Sequence, residues 1–293
     1  MPARDSTPPM SGSIPLFRVA GITVHLHWTW LLVAAYQVQS RADQYGSLVW
    51  NVAEYLALFG IVLLHEFGHA LACRSVGGRA DHIVLWPLGG VAFVAPPPRP
   101  GAVLWSIAAG PLVNVILLPV TIGLFLLAAS QGLRESSPDV YHFLLAVAFI
   151  NGLLLVFNLL PVYPLDGGQI VQAILWFFIG RARSLLVVSV IGLVVGAAAV
   201  VVALWQQEIW YVILAAFVVL RSLAGFQQAR LLAQAAEIPR RADFACPYCG
   251  AHPPAATLWR CGNCRTQFDM FEQQAVCPGC HRGFPEVVCP DCQ

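Results

Sequence analysis

A chain that repeats stretches of about 20 apolar residues, each long enough to cross a hydrocarbon layer, has few folds open to it. Such stretches lie near 22–39, 51–73, 102–130, 140–162, 184–205 and 209–225, separated by polar breaks. The count is six. Five is the alternative, because only a short break at 206–208 divides the last two tracts. Charged residues make up 11% of the chain, against about 25% in a soluble domain, so most of it is built to dissolve in lipid. A net charge of +1 carries no signal for nucleic acid. Residues 1–20 hold Pro, Ser and Arg without an apolar core, so no cleavable signal peptide is expected and this tail is read as disordered.

Arginine placement orients the spans. With a cytosolic N-terminus, the cytosolic segments before the Cys-rich tail hold Arg4, Arg18, Arg74, Arg79, Arg99, Arg181, Arg183, Arg221, Arg230, Arg240 and Arg241, whereas the outer loops hold Arg41 and Arg134. That asymmetry follows the positive-inside rule and puts both termini in the cytosol. The stretch 79–95 breaks the helical pattern: two β-prone runs flank Gly89-Gly90, a hairpin signal. At membrane depth a hairpin must pack on helices or line a cavity.

The second tract contains His65-Glu66-Phe67-Gly68-His69. Histidines four apart on a helix share a face and can hold one Zn²⁺, and the Glu between them is placed to take a proton from water. Ionisable groups inside a span are costly, which argues for function over a merely polar helix face. Zinc needs a third protein ligand. Asp166, in Asn158-Leu-Leu-Pro-Val-Tyr-Pro-Leu-Asp166-Gly-Gly, is the best candidate. The second and fourth tracts both run outward-in, and the histidines lie about 8–14 Å from the cytosolic end at 1.5 Å per residue, so the depths agree. A zinc transporter would spread its ligands along a pathway, and these collect at one depth. A silent scaffold or zinc sensor acting through the C-terminal module has no use for Glu66. His25 and His27 read as interfacial residues beside Trp28 and Trp30, Cys73 as packing, and Asn114 and Asn151 as cross-braces between helices.

Together with Pro87-Leu-Gly-Gly90 and Ala108-Ala-Gly-Pro-Leu-Val-Asn114, these motifs resemble, in order, those of the site-2 protease family of intramembrane metalloproteases, over about 22–225. The resemblance implies that His65, His69 and Asp166 bind the catalytic zinc and Glu66 activates water. It implies further that Asn158 steadies the substrate or the oxyanion, and that the Gly89-Gly90 hairpin pairs with an unwound substrate, itself a membrane protein.

The C-terminal segment carries four Cys-x-x-Cys knuckles, Cys246/Cys249, Cys261/Cys264, Cys277/Cys280 and Cys289/Cys292. A cytosolic location disfavours disulfides, and the spacing is a structural zinc signal. The segment resembles double zinc ribbon modules. That implies sequential pairing, the first two knuckles on one zinc and the last two on another; a cross-braced pairing of first with third is the alternative. Between 243 and 293 three Arg face five Asp and Glu, and each four-thiolate zinc unit adds about −2, which opposes phosphate binding. No nucleic-acid partner is expected. Leu258, Trp259, Phe268, Phe271 and Phe284 exceed what two knuckles need to cover, which points to a docked protein, either substrate tails or a cytosolic regulatory protein.

The expected architecture is therefore an all-α polytopic membrane protein of about six helices with one membrane-associated β-hairpin and a small cytosolic double zinc ribbon. Its parts are a tail at 1–20, an intramembrane domain at 21–226 embedded in membrane lipid, a helical linker at 227–243 and the ribbons at 244–293. Three zinc ions are expected, one catalytic and two structural.

Overall fold

The computed structural model describes residues 11–40, 44–86, 89–207, 209–287 and 289. The chain divides into two compact units, Met1–Phe226 and Gln227–Gln293. In the first, two strands, β1 (Ser13–Val19) and β2 (Ile22–His27), lead into a short helix α1 (Trp30–Ser40) and the long α2 (Leu48–Ser75). A hairpin, β3 (Arg79–Trp86) and β4 (Gly89–Ala95), is followed by α3 (Pro100–Ser130), the single turn α4 (Leu133–Ser136) and α5 (Pro138–Leu159). Helices α6 (Asp166–Ile179), α7 (Arg181–Gln206) and α8 (Ile209–Glu237) complete the set.

Five of these helices, α2, α3, α5, α7 and α8, are long and apolar enough to cross a membrane. The six expected helical spans are corrected at the first one. Residues 22–27 alternate apolar Ile22, Val24 and Leu26 with Thr23, His25 and His27, a period of two that makes a strand rather than a helix. The helix that follows has 11 residues, about 16 Å at 1.5 Å per residue, too short to span alone. Residues of β2 and α1, with Tyr45 beyond them, still pack along α2. Strand β2 pairs in parallel with β3, which follows the C-terminal end of α2; the Trp30 ring meets Tyr55 and Phe59 edge-on; and the Tyr45 hydroxyl donates to the buried Glu54 at 2.5 Å.

The β structure is also larger than one hairpin. Four strands form a sheet in the order β1-β2-β3-β4. Part of the tail expected to be disordered, Ser13–Val19, is its outer strand, antiparallel to β2. Ile22, Val24, Ile83 and Leu85 are fully buried on one face of the sheet, packed with Val62, Ala70 and Cys73 of α2. That packing is what makes irregular backbone tolerable at this depth. Gly89 and Gly90 do not form the turn: they open β4, paired with Trp86 and Leu85, and the connecting residues 87–88 lie outside the described set.

Elsewhere the helices show the opposite pattern. Val201, Trp205, Phe149 and Leu126 are exposed, as expected for side chains that face lipid tails. With no hydrophobic drive between helices in lipid, close packing and polar contacts must hold them together. Asn114 of α3 and Asn151 of α5 do so as a fully buried pair: Asn114 Nδ2 donates to Asn151 Oδ1 at 2.8 Å, and Asn151 Nδ2 to the Asn114 carbonyl at 3.1 Å.

In the second unit, strands β5 (Trp259–Arg260) and β6 (Gln267–Phe268) form a small antiparallel ladder. Arg241 holds Asp269 at 2.7 Å and Glu272 at 3.1 Å.

Candidate metal centre

Three residues expected to bind metal come together. His65 and His69 share one face of α2, and Asp166 opens α6, 101 residues beyond His65. The Asp166 Oδ2 stands 3.0 Å from His65 Nε2 and 3.3 Å from His69 Nε2, and the two Nε2 atoms are 3.0 Å apart.

The tautomers of both rings are set from behind. His65 Nδ1 lies 2.6 Å from Asn114 Oδ1, whose own amide nitrogen is committed to Asn151, so the imidazole must donate. His69 Nδ1 lies 2.8 Å from the Ser106 carbonyl and donates likewise. With both Nδ1 atoms protonated, both Nε2 atoms present lone pairs to each other and to a carboxylate. Such a convergence is repulsive unless a positive charge sits at its focus, and three N/O donors around one point suit Zn²⁺. Gly110 of α3 borders the same focus. A Cβ there would meet His69 Nε2 and His65 Nε2, so only glycine leaves the room.

The loop 160–165 places Asp166. A side chain on Gly167 or Gly168 would run into the backbone at 159–160 and 162–163 respectively. The Asp-Gly-Gly sequence is therefore a close approach between a helix start and the loop before it, and not the turn its composition suggests. The Tyr163 carbonyl accepts the Ser222 hydroxyl of α8 at 3.0 Å, tying that loop to a third helix. A carboxylate in the first turn of a helix also gains from the helix dipole.

Glu66 is buried, with one carboxylate oxygen accepting the Ala92 N–H at 2.8 Å. Ala92 lies in β4, paired with Ile83 of β3. Its N–H is turned away from that partner, so the outer side of β4 adjoins the carboxylate. Asn158 sits half-buried in the last turn of α5, and among the described residues no hydrogen bond joins it to the triad.

Sequence reasoning missed several participants. It read Asn114 as a cross-brace, which it is, but not as the group that orients His65; the Ala108–Asn114 motif was the available signal. It did not single out Ser106, Gly110 or the intramembrane Glu54. The interfacial reading of His25 is corrected: it is only 5% exposed and its Nε2 lies 3.2 Å from His82 Nδ1 across the sheet. Cys73 is packing, fully buried with its thiol donating to the Arg79 carbonyl.

The cysteines form two groups whose pairing is nested. Cys261, Cys264, Cys277 and Cys280 converge, with Cys264–Cys277 sulfurs 3.4 Å apart and Cys261–Cys280 sulfurs 3.6 Å apart. Cys246 and Cys249 converge with Cys289, at 3.8 Å between the Cys249 and Cys289 sulfurs; Cys292 lies outside the described residues. The sequential assignment is thus corrected, and cross-bracing is not found either. The reason is apolar packing. Phe268 and Met270, between the second and third knuckles, are buried with Cys261 and Cys277, and Trp259, Phe271 and Phe284 close around them. These aromatic residues largely cover the inner group and are not a spare surface; Leu258 remains exposed. Within the inner group a hydrogen bond to the Thr266 hydroxyl pulls the Cys264 thiol down to about 6, whereas burial pushes Cys277 up to about 11.

Comparison with known proteins finds a family match and related chains. The model of the family described as peptidase family M50 matches residues 53–137 and 126–203. A zinc metalloprotease of Methanocaldococcus jannaschii is 36% identical over 183 residues, 62% of this chain and 51% of that protein. Stage IV sporulation protein FB of Bacillus subtilis is 31% identical over 155 residues, 51% of this chain and 46% of that protein. The chain thus spans about half the length of these curated relatives. The solved site-2 protease from Methanocaldococcus jannaschii superposes with a TM-score of 0.52 at 29% identity, over 73% of this chain and 95% of that one. With His65, His69 and Asp166 at one focus and a family match over just over half of its residues, the chain belongs to peptidase family M50.

Proposed function

We propose that the chain is a zinc endopeptidase that hydrolyses a peptide bond in or beside the transmembrane segment of another membrane protein, in a regulatory role. One observation carries this reading: two imidazole Nε2 atoms and a carboxylate share a focus inside the helix bundle, with the Glu66 carboxylate beside it at the outer side of a strand.

Zinc held by His65, His69 and Asp166 supplies Lewis acidity toward water and the peptide carbonyl. The chain does the rest. Glu66 takes the proton from the attacking water and delivers it to the departing amine, so that one water is consumed and an acid and an amine leave. The Ala92 N–H fixes one oxygen of that carboxylate. Asn158 steadies the substrate or the developing oxyanion. The free side of β4, which begins at Gly89-Gly90, pairs with a substrate segment in extended form. A helix shields its own carbonyls, so the substrate must unwind first, and Gly or Pro near the scissile bond eases that step. The arginine bias supports a membrane enzyme with both termini cytosolic, and its likeness to proteins of Methanocaldococcus jannaschii and Bacillus subtilis supports the cell membrane of a prokaryote. The cysteine groups support two structural zinc ions beside the catalytic one.

The test separates base from ligand. Glu66→Gln should abolish cleavage while zinc stays bound, whereas His65→Ala, His69→Ala and Asp166→Ala should each lose both. Equal zinc loss in Glu66→Gln and the ligand variants, measured by metal analysis of folded protein, would contradict the division of roles between Glu66 and the three ligands.

A further inference from the structure

His65 and His69 stand side by side on α2, but Asp166 opens a different helix and depends on what fixes the loop before it. One residue of that loop, Tyr163, is gripped from three sides. Its backbone nitrogen lies against Gly168 of α6, where a Cβ would collide with it. Its carbonyl accepts the fully buried Ser222 hydroxyl of α8 at 3.0 Å. Gly192 of α7 leaves the space for that bond, since a Cβ there would stand 2.7 Å from the carbonyl oxygen. The Tyr163 ring lies against Gly225, one turn along α8 from Ser222 and on the same face. A Cβ at 225 would come within 2.8 Å of the ring carbon Cε1. The Ser189 hydroxyl of α7 meets the same spot, 2.6 Å from that Cβ position. Ser189 is fully buried and its oxygen has no hydrogen-bond partner among the described residues. An unpaired buried hydroxyl is costly, and it is tolerated here where α7, α8 and the Tyr163 ring meet.

We propose that Tyr163 is a positioning residue for the metal centre: its ring and carbonyl clamp the loop to α8, and α8 thereby sets where the Asp166 carboxylate meets His65 and His69. The inference rests on the reading above that these three residues hold zinc. Asp166 lies three residues beyond Tyr163, and the chain between them is tight. The Leu165 N–H donates to the Val162 carbonyl at 2.9 Å, and Gln169 Nε2 to the Pro164 carbonyl at 3.0 Å. A shift of Tyr163 therefore reaches Asp166 and is not lost in slack chain. The ring touches none of the reacting atoms. It acts on the metal only through the carboxylate, and a ligand held off its place binds zinc less well.

The experiment reads zinc affinity, not cleavage. The full-length chain in nanodiscs is titrated against a calibrated chelator, with Asp166→Ala marking the zinc held by the cysteines alone. Tyr163→Phe, which keeps the ring, should bind as wild type does. Tyr163→Ala should weaken zinc about tenfold, the low end of what losing an outer partner of a ligand costs. Gly225→Val, which drives a side chain into the ring, should do the same. Together the two should cost less than the product of their separate effects, because both break one contact. The Nδ1–H proton signals of His65 and His69 report the bonds to Asn114 and the Ser106 carbonyl. They should stay in place, since the disturbance enters through Asp166. Gly196→Ala is the control for general strain. It presses α7 on Val219 of α8, away from Tyr163, and should lower thermal stability with zinc affinity intact. Unchanged affinity in Tyr163→Ala and Gly225→Val, an equal loss in Gly196→Ala, or movement of both histidine signals would overturn the proposal. The two readings fail separately. A wild-type membrane site that takes up no zinc sinks the metal reading, and a wild type that binds zinc tightly with both variants unaffected sinks the positioning role alone.

Discussion

The two candidate metal-binding regions are built on opposite plans. In the membrane unit the ligands are far apart in sequence and stand on preformed helices, with α3 behind them supplying Asn114, the Ser106 carbonyl and the space at Gly110. In the cysteine unit the ligands come in short knuckles joined by two-residue strands, and the buried core is little more than Cys261, Phe268, Met270 and Cys277. With zinc in both, one fold would make a site for the metal, and in the other the metal would make the fold. The difference is one of where the ordering entropy is met. Helices packed through Asn114 and Asn151 have met it before any ion arrives, whereas a unit of this size depends on the ion itself.

Chelation is the harshest way to break that comparison. A strong chelator should unfold residues 244–289, because binding a structural zinc contributes about 10–16 kcal/mol that is also folding free energy. The long helices should stay folded. Hydrogen exchange resolves the two, and simultaneous loss of protection in α2 and the cysteine unit would contradict the contrast.

A narrower test targets the nested pairing. Since Cys264 and Cys277 share one group, the Cys264→Ser/Cys277→Ser double variant should lose one zinc ion, as either single change does. Loss of two ions on metal analysis would overturn the nested pairing, since sequential and cross-braced arrangements both put these two cysteines on different ions.

In the membrane unit the helices should tolerate loss of an orienting group that the metal feels. Asn114→Ala should lower zinc affinity about 10–100-fold, the usual cost of removing an outer partner of a ligating histidine. Competition with a calibrated chelator checks it, and unchanged affinity would show that the ring needs no such brace. The smallest effect should come from Ser222→Ala. Losing one hydrogen bond worth about 1 kcal/mol at the Tyr163 carbonyl should loosen the Asp166 loop and weaken zinc several-fold at most, with Ser222→Thr restoring part of it.

Much of this was legible in the sequence because some signals are local and costly to fake. A His-x-x-x-His pair inside an apolar tract leaves little else to mean, and long tracts such as 102–130 announce their helix. What failed did so for identifiable reasons. Averaged hydropathy sees residues 22–39 as one span, although Ile22, Val24 and Leu26 alternate with polar neighbours and pair as a strand beside β3. Knuckle spacing says nothing of which knuckles meet; Phe268 and Met270 decide that, and only in three dimensions. The orienting role of Asn114 was hidden behind its more obvious bond to Asn151.

Strand β4 is an edge of its sheet, and an unsatisfied amide surrounded by hydrocarbon costs several kcal/mol. Whatever lies along that edge therefore has to offer polar partners, and with no other chain beside it the readiest supplier is solvent. If the chain cleaves membrane spans as proposed, that edge would work as a turnstile at the depth of Glu66: water would leave only if the newcomer brought free N–H and C=O groups of its own. An intact transmembrane helix has none to offer and is turned away however apolar it is. A stretch that has already lost its helical bonds is accepted. On the proposed function, selectivity would then lie in the reluctance of a given helix to open, and a single glycine in a substrate's span would matter more than the side chains flanking the bond to be cut.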